Sequence, residues 1–126
     1  MHKRINTDKA PAAIGPYSQA IEIDNLVFTS GQLGADPATG ALANGVEAQA
    51  HTALATLTPV LAAAGLGRNH VIKTTVFIDS MDDFGAVNGV YSQYFNADPL
   101  PARSCVEVAK LPKGALVEIE AIAKKA

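Results

Sequence analysis

The 126-residue chain has no tryptophan and only one cysteine. A lone thiol excludes an internal disulfide and fits a reducing compartment, so a cytoplasmic location is expected. Cations are in slight deficit. The net charge is −2 and the isoelectric point about 5.8, so the basic footprint of a nucleic-acid binder is missing and no nucleic-acid partner is expected. No run of about 18 apolar residues occurs, which excludes a hydrophobic transmembrane helix. Residues 1–15, MHKRINTDKAPAAIG, carry basic side chains but no apolar core, so no secretory signal is expected. There is no CxxC, HxxxH or P-loop pattern. His2, His51 and His70 are not at ligand spacing, and the glycines at 31, 34, 40 and 45 form no nucleotide fingerprint. Neither a metal nor a cofactor is indicated.

Apolar residues are abundant, 48 % of the chain against 17 % charged, enough for one folded domain over residues 1–126. The first fifteen residues read as an irregular arm or short edge strand. A strand over about 17–23, the turn Asp24-Asn25 and the return strand Leu26–Ser30 form a hairpin. Residues 34–45, rich in glycine, form a loop. Val46 to Ala64 is predicted as a helix, with Val46, Ala50, Leu54, Leu57, Leu61 and Ala64 as its buried stripe. Asn44 and Glu47 resemble a capping box. Gly65 and Gly67 end the helix, and at Pro59 either a kink or a compensating interaction is expected.

His70–Ile78 is a β-branched strand. A second helix is predicted over about Asp82–Asn96, capped by Ser80 or Asp82, with Phe84, Val87, Tyr91 and Phe95 inward. Gly85 and Gly89 within it suggest close packing on their side. The order β-β-α-β-α-β-β gives an α+β sandwich with two helices over one sheet face. The uncovered face, taken to carry Leu116 and Ile122 beside Arg103 and Glu118, calls for subunits packed upon it.

The stretch Pro101–Glu120, PARSCVEVAKLPKGALVEIE, reads as two strands joined by a turn at Leu111–Gly114. It holds the only cysteine and three of the five glutamates. Period-two alternation sets Arg103, Cys105 and Glu107 on one face of its first strand, and Glu118 and Glu120 on one face of its second. If the strands pair, a cation, a thiol and carboxylates share a face. A guanidinium there grips a carboxylate through two parallel hydrogen bonds. Residue types alone leave two roles open for Arg103, a substrate grip or an ion pair with Glu107 or Glu120, the ion pair being the commoner outcome. Glu118 is a general base or water-positioning group, or else a partner for Arg103 or a lysine, the ion pair again being the commoner outcome. Cys105 reads as a small packed hydrophobe, because no Cys–His motif accompanies it. Tyr17, Ser30 and the Gly31 backbone are possible hydrogen-bond groups. Lys73, well inside a strand, has no support as a Schiff-base lysine.

Four segments, GPYSQA (15–20), FTSGQLG (28–34), AAAGL (62–66) and above all PARSCVEVAKLPKGALVEIEAIA (101–123), resemble the RidA/YjgF family of imine deaminases. The resemblance runs through essentially the whole chain. It implies a chorismate-mutase-like α+β fold, a homotrimer around a central β-barrel, and sites in clefts between subunits. It also implies hydrolysis of 2-imino acids, such as 2-iminopropanoate and 2-iminobutanoate, to 2-oxo acids and ammonia, without a cofactor. On this chain the family's carboxylate-binding arginine falls on Arg103 and its water-activating glutamate on Glu118. Tyr17, Ser30, Gly31, Asn88 and Cys105 fall on cleft positions. Pro59 departs from the family pattern. Two rival readings remain: a non-catalytic 2-oxo acid binding module, and a ribonuclease or translation inhibitor, which the acidic isoelectric point disfavours.

Overall fold

The computed structural model describes residues 1–126. Seven strands form one sheet: β1 (Lys3–Ile5), β2 (Ala20–Ile23), β3 (Leu26–Thr29), β4 (Gln32–Leu33), β5 (Val71–Ile78), β6 (Ala102–Glu107) and β7 (Val117–Lys124). Two helices, α1 (Val46–Ala63) and α2 (Phe84–Tyr94), pack on it, giving the expected α+β arrangement. Strand order is β1-β2-β3-β7-β5-β6, and β4 also pairs with β7. Every strand pair is antiparallel except β5–β6.

The β2–β3 hairpin turns at Asp24-Asn25, where Asp24 has φ 53°, a left-handed value that Asp tolerates. The strand β4, absent from the sequence reading, continues the line of β3 after a break at Ser30-Gly31. Both segments lie along β7, β3 at residues 122–124 and β4 at 118–119.

Helix α1 buries Leu54, Leu57, Val60 and Leu61 against β7 and the other apolar strand residues. Val27, Val76, Ile78, Val117 and Ile119 are fully buried beneath the helices. Each such side chain contributes about 1.5–3 kcal/mol through its removal from water. Val46 and Ala64, at the ends of the predicted stripe, are only partly buried. Gly65 ends the helix with φ +77°. The Leu66 N–H donates to the Leu61 carbonyl and the Gly65 N–H to that of Ala62, both at 2.9 Å, which is the Schellman arrangement.

Several expectations are corrected. The N-cap of α1 is Gly45, with φ 93° and no side-chain cap, so Asn44 and Glu47 form no capping box. Helix α1 runs through Pro59 as one element. The amide that Pro59 lacks would have bonded the carbonyl of Ala55, and Ala55 is exposed, so water can satisfy that oxygen. Helix α2 is shorter than predicted, because a 3₁₀ turn at Met81–Asp83 precedes it, where Ser80 Oγ accepts from the Asp82 N–H at 3.2 Å. A Cβ on Gly85 or Gly89 would meet nothing within 4 Å, so no close packing demands those glycines.

The largest correction concerns residues 101–120. β6 and β7 are not a hairpin: β5 lies between them, parallel to β6 and antiparallel to β7. The chain from 108 to 116 therefore crosses over β5, through a 3₁₀ turn at Pro112–Gly114. Local alternation is as predicted, but the partner strand is not. No helix of the protein is long and apolar enough to cross a membrane.

Candidate functional site

Cross-strand register decides which residues share a face, since laterally paired residues point the same way. Thr74 of β5 pairs with Arg103 on one side and Ala121 on the other, and Val76 pairs with Cys105 and Ile119. Thr74, Val76, Ile119 and Ala121 are buried under the helices. Arg103 and Cys105 therefore lie on the helix-covered face, at the β6 edge. Phe77 pairs with Val106 and Glu118, and Thr75 with Ser104 and Glu120. These residues form the open face. Within one chain Arg103 and Glu118 are thus on opposite sides of the sheet, and the expected single charged face does not exist.

Around Arg103 the surroundings are neutral. Its Nη1 donates to Asn88 Oδ1 at 2.6 Å. Its Cζ lies 4.8 Å from the Tyr91 ring centroid and 5.5 Å from that of Phe84, both within cation–π range. No carboxylate pairs with it; the one ion pair of the chain is Lys125–Glu22, at 3.0 Å. The expected partner Glu107 accepts instead from the Met81 N–H at 2.8 Å, and Glu120 faces the other way. Tyr91 is fixed from behind by a buried 2.7 Å hydrogen bond between its hydroxyl and that of Thr74. Cys105 is half-buried and packs against the core. Burial pushes its thiol pKa up, and Arg103 only partly offsets this, so the thiolate is disfavoured.

Glu118 lies in a second patch, a cleft of about 570 Å³ lined also by Pro11, Ile14, Tyr17, Ser30, Gly31 and Lys113. Tyr17, Ser30, Gly31 and Glu118 are therefore brought together. Arg103, Asn88 and Cys105 are not among its lining residues. Burial raises the Glu118 pKa, and the neighbouring Glu120 charge raises it further. Ser30 Oγ donates to the Ser18 carbonyl at 2.6 Å, so its hydroxyl proton is already engaged and lone pairs remain for the cleft. Gly31 has a role the sequence reading missed. A Cβ on it would come within 2.5 Å of the Glu118 carboxyl, so glycine makes room for that group. The arm that roofs the cleft is tied by buried Gln19, whose Oε1 accepts from Thr7 N–H at 2.7 Å and whose Nε2 donates to Pro11 O at 2.9 Å.

Sequence reasoning also missed Tyr91 and Phe84 as neighbours of Arg103, assigning them only to the core. The signal was present: Phe84, Asn88 and Tyr91 are at i, i+4 and i+7 on one helix face. Lys73, on the open face, donates to Ser104 Oγ at 3.0 Å. No group of three or more His, Cys, Asp and Glu side chains is placed to hold a metal ion.

The family described as Endoribonuclease L-PSP matches residues 7–125. A mouse protein named 2-iminobutanoate/2-iminopropanoate deaminase is 52 % identical over 124 residues, covering 98 % of this chain and 91 % of its own. A Salmonella typhimurium protein of the same name is 50 % identical, covering 98 % of each chain. Among solved structures, Escherichia coli TdcF with bound serine matches with a TM-score of 0.93 and 45 % identity, over 98 % of this chain and 99 % of that one. RidA from an Antarctic Psychrobacter also matches with a TM-score of 0.93 and 45 % identity, over 97 % and 98 %. With a family match across nearly its whole length and relatives at half identity, the chain belongs to the YjgF/RidA family.

Proposed function

We propose that the protein hydrolyses 2-imino acids, such as 2-iminobutanoate and 2-iminopropanoate, to 2-oxo acids and ammonia. The observation that carries this reading is the half-identity, near-full-length likeness to relatives named for that activity. The two patches fit it chemically. The substrate has a carboxylate and an electrophilic C=N carbon. Arg103, free of any carboxylate partner, takes the substrate carboxylate as a bidentate guest. Glu118, with its raised pKa, takes a proton from water as the oxygen attacks the imine carbon. That proton passes to nitrogen to give the carbinolamine; Glu118 then carries the hydroxyl proton to nitrogen, the C–N bond breaks, and the ketone and ammonia leave. General acid–base help of about 10²–10⁴-fold, added to positioning, suffices for so labile a bond.

Because Arg103 and Glu118 lie on opposite faces of one sheet, this mechanism requires the arginine patch of one subunit to meet the glutamate cleft of another. The reading places sites between subunits; from the family resemblance it takes a homotrimer around a central barrel, and from the lone thiol a cytoplasmic location. A coupled assay tests it: a serine/threonine dehydratase generates the imine, and 2-oxo acid release is followed with and without the protein. No acceleration over buffer overturns the proposal. A second reading, a binding module for small amino or oxo acids, is favoured by the serine bound to TdcF. It predicts that 2-oxobutanoate binds while imine hydrolysis is not accelerated.

A further inference from the structure

We infer that Asn88, Tyr91 and Phe84 form a neutral collar that orients the Arg103 guanidinium for a carboxylate guest without spending its charge. The inference deepens the proposed function and rests on it for the identity of the guest. It makes these three positioning residues, Asn88 included, although the sequence reading put Asn88 against the substrate.

The observations are geometric. The Asn88 amide oxygen holds Nη1 at 2.6 Å, and two ring faces lie 4.8 and 5.5 Å from Cζ. All three side chains project from consecutive turns of α2, whose packing is set by the core. The Tyr91 ring has little freedom, being 8 % exposed and hydrogen-bonded to Thr74, which pairs with Arg103 in the sheet. A flexible exposed arginine would otherwise surrender side-chain entropy whenever it ordered around a ligand. An aspartate or glutamate would order it equally well, but would occupy one edge of the guanidinium and cancel its charge. An amide oxygen and ring faces give direction while leaving the net charge and the remaining N–H groups for the guest.

Two substitutions separate this role from a merely structural one. Asn88→Asp is nearly isosteric and adds the carboxylate the collar lacks. It is expected to weaken 2-oxobutanoate binding and raise KM by about tenfold or more, since the new carboxylate competes with the guest for the guanidinium's charged hydrogen bonds. The effect on kcat should be smaller. Tyr91→Leu removes a ring face and should raise KM; Tyr91→Phe, which keeps the ring and loses only the Thr74 bond, should rescue it. An unchanged KM and binding constant in Asn88→Asp overturns the inference, as does a Tyr91→Phe protein as defective as Tyr91→Leu.

A second readout needs no substrate: the guanidinium ¹⁵N signals of Arg103 in NMR. Slow Nη rotation in the wild type that is lost in Tyr91→Leu and retained in Tyr91→Phe supports the collar even if the wild type hydrolyses no imine, a result that would sink the deaminase reading alone. Fast rotation already in the wild type overturns the collar, whatever the protein hydrolyses.

Discussion

Glu118 sits half-buried beside Glu120, and both circumstances favour its neutral form. Its native pKa is raised above the unfolded value, so the native state holds that proton more tightly. The stability this contributes is present below the unfolded pKa and is lost as pH rises through the native one. At neutral pH the ionised carboxylate therefore weakens the fold. Glu118→Gln should raise the melting temperature at neutral pH, with the gain shrinking as the solution is acidified, by calorimetry across a pH series. The same variant should lose about 10²–10⁴-fold in imine hydrolysis. The wild-type rate should fall on the acid side at a pH above the ordinary glutamate range, and this limb should be missing from Glu118→Gln. For Gly31→Ala, the added methyl collides with the Glu118 carboxyl. Displacing that carboxyl by about 1 Å is enough to lower turnover by about 10²-fold, read in the dehydratase-coupled assay. Arg103→Ala should abolish turnover while size-exclusion chromatography shows unaltered assembly. Retained activity in that variant would remove Arg103 from the mechanism.

Among the elements, helix α1 was the most legible, because its apolar spacing and the terminal Gly65 are local signals. Its capping box was misread because Gly45, in a positive-φ conformation, takes the N-cap and leaves the Asn44 side chain outside the helix. Pro59 tests the cost of a missing internal hydrogen bond at a site where Ala55, whose carbonyl loses its partner, is an exposed residue. Pro59→Ala should stabilise the protein, by up to about 3 kcal/mol in urea denaturation. A destabilised variant would mean that proline contributes packing on that flank which outweighs its missing amide. The strand β4 escaped notice because two residues have no periodicity; only pairing with β7 defines them. The interior of 101–120 was misassigned for a related reason. Its alternation was correct, but a turn-like sequence between two strands is equally compatible with a crossover over a third.

For the whole molecule, the separation of Arg103 and Glu118 across the sheet makes a direct test of assembly. Neither an Arg103→Ala chain nor a Glu118→Gln chain can build a working site in the proposed trimer. Co-assembled at equal amounts, the two should recover roughly a quarter of wild-type activity, the chance that a randomly formed site draws its arginine and its glutamate from complementary chains. No recovery, from oligomers shown by mass spectrometry to be mixed, would place the site within one chain. The primary structure by itself determined the two helices, the β2–β3 hairpin and the in-and-out alternation of β6 and β7, and its likeness to a family nominated Arg103 and Glu118 for the roles proposed above. These are matters of local periodicity and residue type, which neighbours along the chain record. The tertiary structure alone decided that β5 separates β6 from β7, that the guanidinium rests on neutral groups, that Gly31 makes room for a carboxyl, and that the two charged groups face opposite ways. Those depend on strand order and register, and pairing between distant segments is set by how the whole apolar surface is buried at once, which no single stretch of sequence carries.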